Sequence, residues 1–444
     1  MSGGLTIGKV AVIGAGTMGL SIAALCADRD VPVVLLDRAG PAGDRAGPAR
    51  AAIERLPGLR PAAMKRLEKA ALITPGNVED DLGRIADCDW VCEAVFEDLA
   101  TKRDLLARIE AARRAGSVVS TNTSGIPLRD LVRDMPAHLR RDIVVTHFFN
   151  PVAVMRLCEI VPGPETAPDV VPAFEAFIGV RLGKGIVHAK DTVNFIANRI
   201  GCFFMLMGLH KAMDALEAGA SAEAIDAALG EPVGLPSTGL FGLIDLIGLD
   251  VMDFVAKNLA ANLPQGDAGR AYLRFPAPVQ AMAERGQIGR KAGAGFYRMG
   301  KAADGSRVRE TFDLRTGAWR AEAKAVLGDR ERTARDLIVS QGPLGRLAWD
   351  VVGGTLAYAA GLVPGIADDI VNVDRAMRWG YAWAKGPFEL LDELDPLDVA
   401  QRLEAARQPV PAMLGVLCAA GRTRFYDAEG RAFLGVDGRM HPQT

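Results

Sequence analysis

The segment KVAVIGAGTMG near the start of the chain restricts the fold more than any other. A short β-branched run leads directly into Gly14, Gly16 and Gly19, with Thr17 and Met18 between the last two, and a helical pattern follows. A tight turn of this kind lets backbone amides and a helix N-terminus approach a pyrophosphate. Glycines alone are weak evidence, but Asp37 closes the next apolar run, VPVVLLD, about 20 residues further on, where a carboxylate can accept hydrogen bonds from an adenosine ribose. The same charge repels the extra phosphate of NADP, so NAD is the expected cofactor, a preference that the adjacent Arg38 softens.

Short apolar runs then alternate with helical patterns: DWVCEAV, SVVSTN, DIVVTHFF, LCEIV and GIVHAKD. This alternation predicts an α/β, doubly wound parallel sheet covered by helices. From about Phe195 the β signal fades and helical spacing takes over, as in NRIGCFFMLMGLHKAMDALEAG. The cluster Phe203, Phe204, Met205 and Met207 reads as packing of that helix, and could also line an acyl pocket or a dimer contact. A loose internal repeat relates 224–251 to 372–399 and aligns Asp226 with Asp374, Phe241 with Phe388, and Asp245 with Asp392. Two copies of one small all-α unit are therefore expected. Between them a Gly-rich stretch and the Asp304-Gly305 turn signal predict a loop and a short hairpin. The domain boundaries expected are 1–192 for the nucleotide domain, 193–300 for the first helical copy, 301–330 for the linker and hairpin, and 331–444 for the second copy.

With 52 basic against 54 acidic residues, the formal net charge of −2 provides no global attraction toward nucleic acid or anionic lipid. Six cysteines without a metal-type CxxC pair read as reduced thiols packed as small hydrophobes, and no metal is expected. No export signal precedes KVAVIGAG and no stretch suits a membrane span, so the expectation is a cytoplasmic protein.

Chemistry has to be argued from other polar residues, because a dinucleotide fold does not specify a substrate. His147 ends one apolar strand and Glu159 lies within the next, across a short Asn-Pro connection. Oxidation of an alcohol needs a base for the hydroxyl proton, and imidazole titrates near neutrality. A carboxylate on the far ring nitrogen would fix its tautomer. His147 is thus the candidate base and Glu159 its orienting partner; taken alone, the pair reads more readily as a structural contact at a strand end.

GAGTMG, NTS, HFFNP followed by VMRLCEIV, DT-x-x-FIANRI and GRKAGAGFY, in this order and spacing, resemble the L-3-hydroxyacyl-CoA dehydrogenases of fatty-acid β-oxidation. The likeness covers residues 9 to about 300, and the C-terminal repeat is similar to the second helical copy of the large bacterial multienzymes. The resemblance implies NAD-dependent oxidation of an (S)-3-hydroxyacyl-CoA to the 3-oxoacyl-CoA, with His147 and Glu159 as the catalytic pair and Ser124 and Asn198 near the 3-oxygen. It also implies Asn150 near the nicotinamide and Glu97 and Lys102 at the cofactor, although a charged pair in the first turns of a helix ordinarily faces solvent. The family's common DTPGF is DTVNF here, and Gly125 follows Ser124 where a second serine is common.

The segment between Asp37 and Leu72 carries Arg45, Arg50, Arg55, Arg60, Lys65, Arg66 and Lys69. It would meet the phosphates of coenzyme A or form a solvated face. With no segment left for a hydratase domain, a monofunctional chain is expected, as a homodimer or a pseudo-dimer through the helical repeats. The competing readings are a dehydrogenase of free 3-hydroxyacids and a non-catalytic NAD-binding scaffold.

Overall fold

The computed structural model describes residues 5–301, 305–325, 327–328 and 331–443. The chain divides into two compact units, Met1–Phe195 and Ile196–Thr444. Among the described residues no helix is long and apolar enough to cross a membrane.

The first unit is built on an eight-stranded sheet: β1 (Val10–Ile13), β2 (Val33–Asp37), β3 (Ile73–Asn77), β4 (Trp90–Glu93), β5 (Val118–Thr121), β6 (Ile143–Phe148), β7 (Leu157–Pro162) and β8 (Gly185–His188). Their order across the sheet is β3-β2-β1-β4-β5-β6-β7-β8. All neighbours are parallel except β6 and β7, which run antiparallel. The first six strands follow the doubly wound dinucleotide order, which reverses between β1 and β4 and opens a crevice at the strands' carboxyl ends. Because helices cover both faces, β1, β4 and β5 are buried at every position, and such strands read as continuous apolar runs.

Strand β3 has no counterpart among the runs picked out in the sequence. Its residues, ITPGN, contain Pro75 and Gly76, which argue against a strand in general but are tolerated at a sheet edge, where β3 lies. At the end of the unit, Asn194 and Phe195 both have positive φ, 61° and 49°. Asn, standing where the family commonly has Gly, is among the few residues that enter the left-handed region readily.

The second unit is mostly helical and contains the repeat. Its first helix, Ala197–Glu217, buries Phe203, Phe204, Met205 and Met207. The two copies are held by the same carboxylate device. In the first, Asp226 accepts from the amides of Phe241 (2.7 Å) and Gly242 (3.1 Å) and from the Tyr297 hydroxyl (2.8 Å), while Asp245 accepts from the amides of Phe296 (2.8 Å) and Tyr297 (2.9 Å). In the second, Asp374 accepts from Phe388 (2.8 Å), Glu389 (3.1 Å) and the Tyr426 hydroxyl (2.7 Å), and Asp392 from Phe425 (2.7 Å) and Tyr426 (2.9 Å). All three aligned pairs of the sequence repeat are thus structurally equivalent. The Phe-Tyr pairs that complete each device escaped the alignment, because the chain between Asp245 and Phe296 is longer than that between Asp392 and Phe425.

The stretch expected to form a loop and short hairpin makes a three-stranded antiparallel sheet from Tyr297–Lys301, Arg307–Asp313 and Ala318–Ala321. Asp304 of the expected turn lies outside the described residues.

Burial pushes Asp226 up to about 7 and Asp245 up to about 6, the donated hydrogen bonds opposing it only in part. The native state then holds protons that the unfolded chain, titrating in the ordinary carboxylate range, has released. The stability these groups contribute is full below about pH 4 and is lost as pH rises through 6 to 7. Asp226→Asn replaces one accepting oxygen by a donor that faces the amide of Gly242. It should cost about 1–3 kcal/mol in urea unfolding at pH 5 and flatten the fall in stability between pH 4 and 7. An unchanged pH slope with unchanged stability would show that the carboxylate does not hold the copy together.

Candidate active site

Antiparallel pairing of β6 with β7 sets His147 directly opposite Glu159. Residues so paired share a face of the sheet, with side chains close enough to interact. Their contact is a 2.7 Å hydrogen bond from Nδ1 of His147 to Oε2 of Glu159. Glu159 is fully buried and His147 is 3% exposed, so solvent does not compete for this bond. A carboxylate accepts only, which leaves the proton on Nδ1 and a lone pair on Nε2. That second nitrogen lies 3.1 Å from Oγ of Ser124, whose hydroxyl can donate to it. Phe149 and Phe195 stand against the imidazole, with ring centroids 4.5 and 5.6 Å away, and wall it with apolar surface.

Ser124 is exposed, yet its loop is held from behind. Oε1 of Glu97 accepts from the Thr123 hydroxyl (2.5 Å) and from the amides of Ser124 (2.9 Å) and Gly125 (3.0 Å). Burial alone would raise the Glu97 carboxyl; the charge of Lys102 and the three donors outweigh it and hold the group below the usual carboxylate range. Lys102 does not face solvent, as an isolated charged pair in a helix's first turns would. It is 1% exposed, with Nζ 2.8 and 2.9 Å from the two oxygens of Glu93 and 3.3 Å from Oε2 of Glu97.

Glu93 was missed in the sequence, where it sits inside the run DWVCEAV. It is fully buried and also accepts from the Val95 amide (2.7 Å) and the Thr121 hydroxyl (2.6 Å). The available signal was an acid at the carboxyl end of an otherwise apolar parallel strand, where sheets of this class bind ligands. Asn122 was overlooked too; its Oδ1 accepts from the Phe148 amide (2.9 Å) and ties the Ser124 loop to β6.

At the glycine turn, Gly14 has φ +104°, and a Cβ there would lie 2.5 Å from the carbonyl oxygen of Ala94. A Cβ on Gly19 would fall 1.8 Å from the carbonyl oxygen of Gly14. A Cβ on Gly16 would meet nothing within 4 Å. Gly16, at the N-cap of the helix Thr17–Asp28, has no side chain with which to cap the amides of its first turn. Asp37 accepts from the Ala15 amide (2.6 Å) and from that of Arg38 (2.7 Å). Thr17 is exposed, Met18 half-buried, and Asn150 exposed at the end of β6 beside Pro151.

The structure therefore brings His147, Glu159 and Ser124 into one hydrogen-bonded chain, with Glu97, Lys102 and Glu93 behind it. Asn198 belongs to the second unit, in the first turn of Ala197–Glu217, and its Oδ1 accepts from the Tyr381 hydroxyl (3.2 Å). The basic segment is partly neutralised: Arg45 pairs with Asp80, Arg50 with Asp44 (3.3 Å), Arg66 with Asp28 and Asp30, and Lys69 with Asp30. Arg55, Arg60 and Lys65 make no ion pair among the described residues.

Comparison with known proteins matches the chain to a family. The profile of the 3-hydroxyacyl-CoA dehydrogenase NAD binding domain matches residues 9–192, and that of the family's C-terminal domain matches 195–299. A probable 3-hydroxyacyl-CoA dehydrogenase of Bacillus subtilis is 36% identical over 447 residues, covering 95% of this chain and 55% of the relative. The chain thus spans about half the length of that curated relative. A probable 3-hydroxyacyl-CoA dehydrogenase of Deinococcus radiodurans is 38% identical over 299 residues, covering 67% of this chain and 84% of the relative. Among solved structures, 3-hydroxybutyryl-CoA dehydrogenase of Escherichia coli K12 superposes with a TM-score of 0.69 at 25% identity, covering 91% of this chain and 95% of that one. With both domain profiles matched in order, and most of a relative's length aligned at this identity, the chain belongs to the 3-hydroxyacyl-CoA dehydrogenase family.

Proposed function

We propose that this protein oxidises (S)-3-hydroxyacyl-CoA thioesters to 3-oxoacyl-CoA with NAD, and that His147 is the base. The observation that carries this reading is the imidazole held between Glu159 at Nδ1 and Ser124 at Nε2.

The glycine turn supports the cofactor. Gly14 and Gly19 are required by the fold itself, since any Cβ would meet backbone. Gly16 is not, and the space its missing side chain leaves is where a pyrophosphate would approach the helix N-terminus. The carboxylate of Asp37 fits an adenosine ribose. NAD, when bound, supplies the acceptor for the hydride leaving carbon 3 of the substrate. His147 Nε2 takes the hydroxyl proton as the carbonyl forms, and Glu159 stabilises the resulting imidazolium while holding the ring in one tautomer. In the reverse direction the same nitrogen returns the proton. Ser124 hands its hydrogen-bond position on Nε2 to the substrate hydroxyl and stays beside the oxygen as charge builds on it. Glu97 and Lys102 keep the Ser124 loop at the cofactor's edge, with Asn150 on the nicotinamide side. Arg55 and Lys65, outside the described ion pairs, are the candidates for the coenzyme A phosphates.

Formation of reduced NAD with a ladder of 3-hydroxyacyl-CoA thioesters tests the mechanism. His147→Gln should lower kcat by about 10²- to 10⁴-fold with little change in KM for NAD. Glu159→Gln should also lower kcat strongly, because an amide can present its donor to Nδ1 and reverse the tautomer. Full turnover by the His147 variant on every thioester would remove the mechanism, and turnover of free 3-hydroxybutyrate without its thioester would redirect the substrate.

The two glycines separate cofactor binding from folding. Gly16→Val should leave the melting temperature within about 3 °C while abolishing measurable NAD binding by calorimetry. Gly19→Val should impair folding outright. Retained NAD affinity in the Gly16 variant would contradict the assignment of the turn.

A further inference from the structure

Strand β4 ends against the glycine turn. The Ala94 amide donates to the Ile13 carbonyl (2.8 Å), and the Ala94 carbonyl oxygen and Val95 nitrogen lie 2.5 and 3.0 Å from where a Cβ on Gly14 would stand. Further along the chain, Glu97 accepts from the amide of Ser124 (2.9 Å), whose hydroxyl is 3.1 Å from Nε2 of His147. Residues 94–97 thus run from the glycine turn to the Ser124 loop, along the crevice that opens at the carboxyl ends of β1 and β4. Of these residues only Phe96 is exposed, at 74%.

The backbone that carries this ring is fixed on both sides. Glu93 accepts from the Val95 amide (2.7 Å), Lys102 donates to the Val95 carbonyl (3.4 Å), and the Phe96 carbonyl accepts from the Asp98 amide (2.9 Å). Asp98 in turn caps the helix Leu99–Ala112 through the Thr101 amide (2.8 Å). That helix start does not call for a phenylalanine. An apolar residue just before the cap often packs against the fourth helical residue, but here those two positions are Glu97 and Lys102, joined as an ion pair at 3.3 Å. A ring left largely in water forgoes the stabilisation that its burial would bring, so Phe96 contributes little to folding.

We infer that Phe96 is a cofactor-binding residue whose ring packs on the nicotinamide of NAD. This inference rests on the NAD reading of the glycine turn given above. A dinucleotide with its pyrophosphate at Gly16 and its hydride-accepting ring beside the alcohol at His147 has to run along residues 94–97. Phe96 is the side chain there that offers exposed apolar surface, and an aromatic face binds a flat heterocycle by stacking.

Calorimetry on the full chain tests it with two ligands, NAD and ADP-ribose, the second of which lacks only the nicotinamide. The parent should bind both. Phe96→Ala should weaken NAD binding about tenfold and leave ADP-ribose within about twofold, since only the first ligand carries the ring that stacks. Its melting temperature should stay within about 2 °C of the parent, because the side chain removed is exposed. Phe96→Tyr keeps the aromatic face and should hold NAD affinity within about threefold of the parent. Undiminished NAD affinity in Phe96→Ala would overturn the role of Phe96 and leave the cofactor reading standing. Equal losses for NAD and ADP-ribose, or a loss confined to KM for the thioester, would do the same. A parent that binds neither ligand would overturn both the cofactor reading and this inference.

Discussion

The structure of the first unit depends on the antiparallel pairing of β6 with β7. Every other contact in the sheet is parallel, and a parallel neighbour would have required a crossover connection between the two strands. The direct return through the Asn-Pro turn sets two strands side by side whose facing residues are His147 and Glu159. A slip of one residue would turn one of the two side chains to the other face of the sheet and break the contact. Register is thus the variable on which the imidazole's tautomer depends, and the buried flanks of both strands hold it.

Behind this pair the molecule invests in buried charge. Lys102 and Glu93 are buried and, with the half-buried Glu97, form an acid-rich cluster, an arrangement costly as pure stabilisation, since apolar side chains of similar size can do as well. Its distinct product is a loop at Thr123–Gly125 whose amides and hydroxyl converge on one carboxylate oxygen. Ser124 reaches His147 from that loop. The exposed end of the site is accordingly held by its most buried end.

Much of this was legible in the sequence because it was written in residue types with few alternative uses. The glycine turn with Asp37 predicted the nucleotide half, and a histidine and a glutamate at facing strand positions could be paired before any coordinates. Other elements were hidden for identifiable reasons. Strand β3 carries Pro75 and Gly76, which only its edge position makes acceptable. Glu93 was concealed inside an apolar run, and its partner Lys102 lies beyond the strand end, at a spacing that periodicity does not detect. The Phe296-Tyr297 and Phe425-Tyr426 pairs lie at unequal distances from Asp245 and Asp392, so an alignment at nearly constant offset passes over them.

The account comes down to which nitrogen of His147 carries the proton when the ring is neutral. With histidine labelled in ¹⁵N and the signal assigned through its loss in a His147 variant, long-range proton–nitrogen correlation spectra report this directly. The account predicts a protonated Nδ1 and a bare Nε2 in the native protein near neutral pH. A neutral ring protonated at Nε2 would contradict it, because the nitrogen facing Ser124 could then accept no proton.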